Sequence, residues 1–261
     1  MITTWSKGAA DEWMSEDILV DLSNLIGRHP WWHARVKLTL ALLKQLGILP
    51  PARVLDAGCG WGVNLDALER HGYRVDGLDI SRRILERLDK PQRSLVEADL
   101  TQSLPEPIEP YDAVIALDVI EHLDNDRIVV ARLGQLTRPD GVAILSVPAL
   151  PDLYSEFDEV QGHRRRYVPD TLRQAFSESN LRVERLFWWG SWMVPVLRRR
   201  KLKPRAHASL SPAETYRRYL ALPPWPLSLG LRLAFTLDHL WTLQGKAAQG
   251  TTLFAIARRA E

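Results

Sequence analysis

Arg53-Val54-Leu55-Asp56-Ala57-Gly58-Cys59-Gly60-Trp61-Gly62 is the stretch on which the fold turns. A short apolar run ending in an acid reads as a buried parallel strand. Glycines at alternate positions then swing the backbone into the amphipathic segment from Asn64 to His71. Only a residue without a Cβ lets the main chain pass close to a ligand at unusual φ. The unpaired N–H groups at the start of the following helix favour an anionic group there. The dinucleotide fingerprint is excluded, because its third glycine would fall at position 63, which is Val63. A tight strand-to-helix turn in any α/β domain remains the plain alternative.

Composition sets the outer bounds. At 261 residues, 46% of them hydrophobic, the chain suffices for one large α/β domain or a domain with a substantial lid. A net charge of +2 gives no overall field toward nucleic acid. Cys59 is the only cysteine, so a disulfide framework and a cysteine-rich metal site are excluded; within the glycine turn it reads as a small apolar filler. The start, Met1-Ile2-Thr3-Thr4-Trp5, lacks a signal-type pattern, and no run of about 18 uncharged apolar residues occurs, which sets the expectation of a cytoplasmic protein.

Outward from the glycine turn, the pattern alternates strand and helix. Before it, residues 1–30 are weakly patterned, with a candidate helix over Glu12–Ile26. From Trp32, Val36, Leu40, Leu43 and Leu46 recur at helical spacing until Gly47 and Pro50-Pro51. After it come strands at Tyr73–Ile80, Arg93–Leu100, Tyr111–Leu117, Gly141–Val147, Arg182–Trp189 and Thr251–Arg258. Ser81 caps a helix to Leu88, Asp124 starts one to Leu136, and another spans Asp170–Ser179. About 60 residues separate the last two strands, too many for a hairpin loop. This insertion carries a basic run from Arg198 to Arg205, then Pro223-Pro224-Trp225-Pro226. A helix follows with Leu229, Leu233, Leu237, Leu240 and Trp241 on one side; the insertion is read as a lid packed over the active site with this stripe facing protein, a dimer contact or a membrane-surface element being the alternatives.

Gly58, Gly60 and Gly62 behind Asp56 resemble the first motif of class I S-adenosylmethionine-dependent methyltransferases. The resemblance implies a Rossmann-like seven-stranded, mostly parallel sheet with helices on both faces and an antiparallel last strand. It divides the chain into a helical cap over 1–50, a core over 51–190 and 250–261, and a helical insertion over 191–249. The donor, S-adenosyl-L-methionine, would be held by Asp56, Ala57, Gly58, Gly60 and Gly62 at the first strand. Asp79, with Ile80, stands about 20 residues beyond the glycines, where a carboxylate accepts both ribose hydroxyl protons; a helix-capping acid is the alternative, and Ser81 already fills that role. In the family, Asp99 would meet the adenine amino group and Leu100 pack on the ring. Trp31-Trp32 followed by Arg35 resembles an element in which the arginine lies close to the methionine carboxylate.

Leu117, Asp118 and His122 end the fourth strand, where donor and acceptor should meet. Asp118-Val119-Ile120-Glu121-His122 resembles a stretch common in enzymes acting on quinones, lipids and natural products. The Asn/Asp-Pro-Pro-aromatic sequence of enzymes acting on bases and protein amides is missing. Gly162-His163-Arg164-Arg165-Arg166-Tyr167 resembles the Gly-His-x-Arg-Arg-Tyr loop of one subset. His163 and His122 are candidate bases, with a structural histidine as the alternative for each. Arg165 and Arg166 are candidates for an acceptor carboxylate or phosphate, or anchors for the loop; Tyr154 and Tyr167 either line the pocket or pack in the core. No His/Cys/Glu cluster has ligand spacing, so no metal is expected. The expected partner is a small-molecule acceptor and not nucleic acid, with a peripheral membrane contact through residues 198–241 and a homodimer left open. Competing readings are methylation of RNA or protein, a non-catalytic donor-binding protein, and a nucleotide-dependent oxidoreductase.

Overall fold

The structure is a computed structural model that describes residues 1–7, 22–91, 93–106, 108–201, 211–221 and 227–260. Most of the helix expected over Glu12–Ile26, the basic run beyond Lys201 and the segment Pro223–Pro226 lie outside the described residues. Eight strands form one sheet: β1 (Ile2–Thr4), β2 (Arg53–Ala57), β3 (Arg74–Asp79), β4 (Ser94–Glu97), β5 (Tyr111–Leu117), β6 (Thr137–Pro148), β7 (Leu181–Trp189) and β8 (Thr252–Arg259). Their order is β1-β4-β3-β2-β5-β6-β8-β7. Neighbours are parallel from β1 to β6, and β8 runs antiparallel between β6 and β7. The order reverses between β2 and β5, which opens a crevice at the carboxyl ends of the strands.

The eighth strand corrects the seven-stranded expectation. Ile2–Thr4 lies in the segment read as a helical cap, yet pairs in parallel with Leu95–Glu97. Three residues are too few to carry an alternating pattern. What holds them is the unpaired edge of β4, whose backbone groups need partners. The Thr4 hydroxyl adds a 2.8 Å bond to Glu97.

Helices cover both faces. On one side lie α2 (Pro30–Gln45), α3 (Val63–Arg70) and α4 (Arg82–Leu88), and on the other α5 (Asp126–Leu136) and α7 (Pro169–Ala175), while α1 (Ser23–Ile26) and α6 (Glu156–Val160) pack together around Trp32. Proline at the first position of α2 has no N–H to lose, and His29 Nδ1 accepts the Trp31 N–H at 3.2 Å. Burial lowers His29 to about 4, which keeps that ring neutral and able to accept. Leu38 and Leu42 of α2 are fully buried against Val54, Ile115 and Ile144, and truncating either to alanine should cost about 2–5 kcal/mol. The helix expected from Asp124 starts at Asp126, because Asn125 caps it, its side chain accepting the Ile128 N–H.

The insertion supplies α8 (Met193–Lys201), α9 (Pro212–Tyr219) and α10 (Leu227–Leu243). The apolar stripe of α10 faces outward, contrary to expectation: Leu229, Leu233, Leu237, Leu240 and Trp241 are all exposed. The buried arc carries Phe235, Asp238 and Thr242 instead. Asp238 is buried because its carboxylate accepts the N–H groups of Gly190 (2.7 Å) and Ser191 (3.2 Å), where the chain leaves β7. A helix apolar around most of its girth does not announce which arc is inside. No helix among the described residues is long and apolar enough to cross a membrane.

Candidate active site

The glycine turn is pinned from beneath. Leu78 of β3 accepts the N–H groups of both Gly58 (2.7 Å) and Cys59 (3.0 Å). Gly58, Gly60 and Gly62 all take positive φ (74°, 45° and 70°). A Cβ on Gly58 would stand 2.5 Å from Val119 Cγ2, so the turn and the segment after β5 meet only because that carbon is missing. Asp56 lies under the turn, wholly buried, accepting from Asn64 at 3.4 Å, while its other oxygen has no partner. Burial pushes its carboxyl up to about 7. Asp79 ends β3 and accepts the Gly60 N–H at 2.8 Å and the Ser81 N–H at 3.0 Å. Ser81 separately caps α4 by accepting from Ile84, so the carboxylate is left to the crevice rim.

A cavity of about 430 Å³ runs along this rim. Gly58, Gly60, Asp79 and Ile80 line one end, with Asp99 and Leu100 beyond β4 and Leu117, Asp118 and His122 beyond β5. Asp99 binds its own turn, accepting from Thr101 and Gln102. Trp32 and Arg35 enter from α2. The Arg35 guanidinium pairs with Asp118, lies 4.5 Å over the Trp31 ring, and has a buried Nε without a partner. Asp118 sits at φ 59°, strained for a residue with a side chain, and accepts from Ser146 at 3.1 Å. Asp56, Ala57 and Gly62 lie beneath or beside the turn, outside the cavity lining.

Aromatic rings that sequence reading did not assign to the site close the other side. Trp61 meets Trp32 edge-on at 5.9 Å and Tyr216 at 6.4 Å. Phe157 packs on Tyr216 at 5.1 Å and stacks on Tyr219 at 4.8 Å. Tyr216 and Tyr219 belong to α9, so the insertion itself contributes wall, as do Trp192, Met193 and Phe235. The available signal was Ser211-x-x-Glu214, which opens α9 as a capping box and puts Tyr216 and Tyr219 on one face.

The loop after β6 is organised around Asp158, which is fully buried. It accepts from Arg166 Nε (2.8 Å) and Nη2 (3.0 Å), from the Ser155 N–H (2.9 Å), and pairs with His163 Nδ1 (2.9 Å). Burial pushes this carboxyl up, but His163 and Arg166 outweigh it and hold it below the usual range. His163 Nε2 then stands 3.8 Å from Glu121 Oε1, and its ring meets His122 edge-on at 4.9 Å. Glu121 has no exposed surface, and burial followed by the Asp118 charge raises its carboxyl well above the ordinary value. Burial, then His163, lowers His122 to about 3.

His163 and Arg166 line the cavity; Tyr154, Arg165 and Tyr167 are not among its lining residues. The Tyr167 hydroxyl donates to Asp126 at 2.8 Å, and Tyr154 donates to the His163 carbonyl at 2.8 Å. Arg165 donates to the carbonyls of Leu123 and Asp124, and Arg166 is engaged by Asp158 and the Ala149 carbonyl. These arginines act in the structure as anchors of the loop, the second of the two roles their sequence allowed.

A strand-end crevice behind a glycine turn, with a matching acid on the next strand, is now joined by a family match: the model described as a methyltransferase domain covers residues 31–186. The chain belongs to that family. The matched span takes in Trp31 and Arg35, every parallel strand from β2 to β6 and the His163 loop, and ends inside β7. Similar proteins include a ubiquinone biosynthesis O-methyltransferase of Nitrosococcus oceani, 31% identical over 134 residues, covering 45% of this methyltransferase and 56% of the relative. The protein of the same description from Rickettsia typhi is 28% identical over 136 residues, covering 45% and 55%. The chain thus spans about half the length of these relatives. An S-adenosylmethionine-dependent methyltransferase structure from Mesorhizobium loti superposes with a TM-score of 0.56 at 16% identity, over 90% of this chain and 100% of the other, which speaks for the fold.

Proposed function

We propose that this methyltransferase moves the methyl group of S-adenosylmethionine onto an oxygen or nitrogen atom of a small, largely apolar acceptor. The observation that carries this is the aromatic wall: the strand-end crevice is continuous with a pocket lined by Trp61, Phe157, Tyr216 and Tyr219. A flat basic surface would suit a macromolecule, whereas an aromatic enclosure suits a small ring or chain. The relatives named for ubiquinone biosynthesis favour oxygen as the attacked atom.

The donor's ribose hydroxyls bind Asp79, its tail lies against the glycine turn, and its carboxylate reaches Arg35, whose buried Nε awaits an acceptor. The sulfonium is already activated, so the protein's task is alignment of nucleophile, methyl carbon and sulfur in a water-poor site. The insertion serves as the lid, since α8, α9 and α10 all contribute wall. Deprotonation of the acceptor falls to the group of Glu121, His122 and His163 beside Asp118. Incubating the protein with methyl-labelled donor and a metabolite extract tests this. Label should enter small organic-soluble material; label confined to RNA or protein overturns the assignment.

A further inference from the structure

We propose that Tyr216, carried by the insertion, binds the amino-acid tail of the donor, its hydroxyl oxygen accepting a hydrogen bond from the tail's ammonium group. The inference rests on the methyltransferase reading and extends it to a helix beyond the family match, which ends at residue 186.

Tyr216 is 1% exposed, and its place is the donor end of the cavity. Its ring shares an apolar cluster with Trp32 of α2. Trp61 in the glycine turn and Val63, which opens α3, pack against that cluster. These are the walls between which the tail lies when its carboxylate reaches Arg35. The hydroxyl also responds to both members of the Arg35–Asp118 pair: burial and then the Asp118 charge raise it, and Arg35 opposes them.

The helix is anchored where this contact needs it. Its first turn is closed by the capping box, the Ser211 hydroxyl accepting the Glu214 N–H at 3.3 Å. At the other end the His29 ring bonds the backbone of Leu220, the residue that caps α9, while its Nδ1 accepts from Trp31 at the start of α2. One neutral imidazole thus ties the end of α9 to the helix that carries Arg35. The Tyr216 ring is therefore positioned by the fold before any donor arrives.

The hydrogen bonds decide which half of the tail it takes. The Tyr216 hydroxyl donates to Gln161 Oε1 at 3.2 Å, and the Gln161 amide donates to the Phe157 carbonyl at 3.2 Å, which fixes the way the amide points. With its proton committed, the phenol oxygen offers lone pairs alone. It suits an ammonium group, which has three donors and no acceptor, and not a carboxylate, which can only accept. An ammonium buried without acceptors is costly, and a guanidinium has no lone pair to offer it. The two charges of the tail therefore divide between Arg35, which takes the carboxylate, and Tyr216, which takes the ammonium.

Isothermal calorimetry on the full-length protein tests this with S-adenosylhomocysteine and with its analogue in which hydrogen replaces the ammonium group. Tyr216→Phe keeps the ring and removes the oxygen. The variant should bind S-adenosylhomocysteine about 10- to 100-fold more weakly than the wild type, the range for one hydrogen bond to a charged group, and should bind the analogue within about threefold of the wild type. Retained analogue binding shows that the cavity of the variant is intact. Equal weakening of both probes would mean that Tyr216 acts through packing alone and overturns the proposal, as does an unchanged affinity for S-adenosylhomocysteine. Wild-type protein that binds neither probe removes the methyltransferase reading itself, so the two failures are told apart.

Discussion

Replacing Asp56 with asparagine isolates a carboxyl that the fold holds in the wrong charge state. Burial raises it from 3.8 to about 7. That difference of about three units corresponds to about 4 kcal/mol at 1.36 kcal/mol per unit. The direction follows from linkage. Below pH 4 the group is protonated in both states and contributes nothing. As pH rises from 4 to 7 the unfolded chain releases this proton and the folded chain keeps it, so wild-type stability falls; above 7 the full penalty is present. Asparagine cannot ionise, and it preserves an acceptor for Asn64. Any fixed cost of its buried amide, about 1–3 kcal/mol, is the same at every pH. The difference in unfolding free energy, variant minus wild type, should therefore climb by about 4 kcal/mol between pH 4 and pH 8. Urea denaturation of the ligand-free proteins at several pH values measures it. Saturating S-adenosylhomocysteine should flatten the climb, because an ammonium group beside the turn favours the ionised form. Parallel curves for the two proteins would refute the reasoning.

Gly58→Ala places a Cβ 2.5 Å from Val119 Cγ2 at φ 74° and should lower stability by about 1–3 kcal/mol, seen as a drop in Tm. Val119→Ala in the same chain should recover only part of the loss, since the φ strain stays. Arg166→Ala leaves the Asp158 carboxylate, which has no exposed surface, without its guanidinium, and should cost about 3 kcal/mol in urea denaturation. On the outer face of α10, Leu233→Asp, at a position 59% exposed, should change stability by no more than about 0.5 kcal/mol; a loss of several kcal/mol would mean that this stripe is buried.

The parallel core was legible because its signals are local. Tyr111–Leu117 is a continuous apolar run with matching strand bounds, and Ser81 caps its helix through its own side chain. Part of the crevice lining was equally readable, since Gly58, Gly60, Asp79, Asp99 and Asp118 sit at or just beyond strand ends, at positions fixed by the strands themselves. The remainder depends on contacts between distant segments. Ile2–Thr4 becomes a strand only because the edge of β4 is there, and the α10 stripe turns outward because Asp238 is drawn in to cap Gly190 and Ser191. Tyr216 reaches Trp61 across more than half the chain. Glu121 was quoted within a motif without a role, since its missing partner becomes evident only once Asp158 and Asp118 are seen to occupy the nearby cations.

The most direct test is calorimetric binding of S-adenosylhomocysteine to the wild type and to Asp79→Ala. Two charge-assisted bonds to the ribose, at about 1.5–3 kcal/mol each, predict measurable affinity for the wild type and a loss of at least about 100-fold in the variant, whose Tm should also fall because the Gly60 and Ser81 N–H groups lose their acceptor. A wild-type protein with no measurable affinity, or a variant that binds as tightly as its parent, would contradict the account.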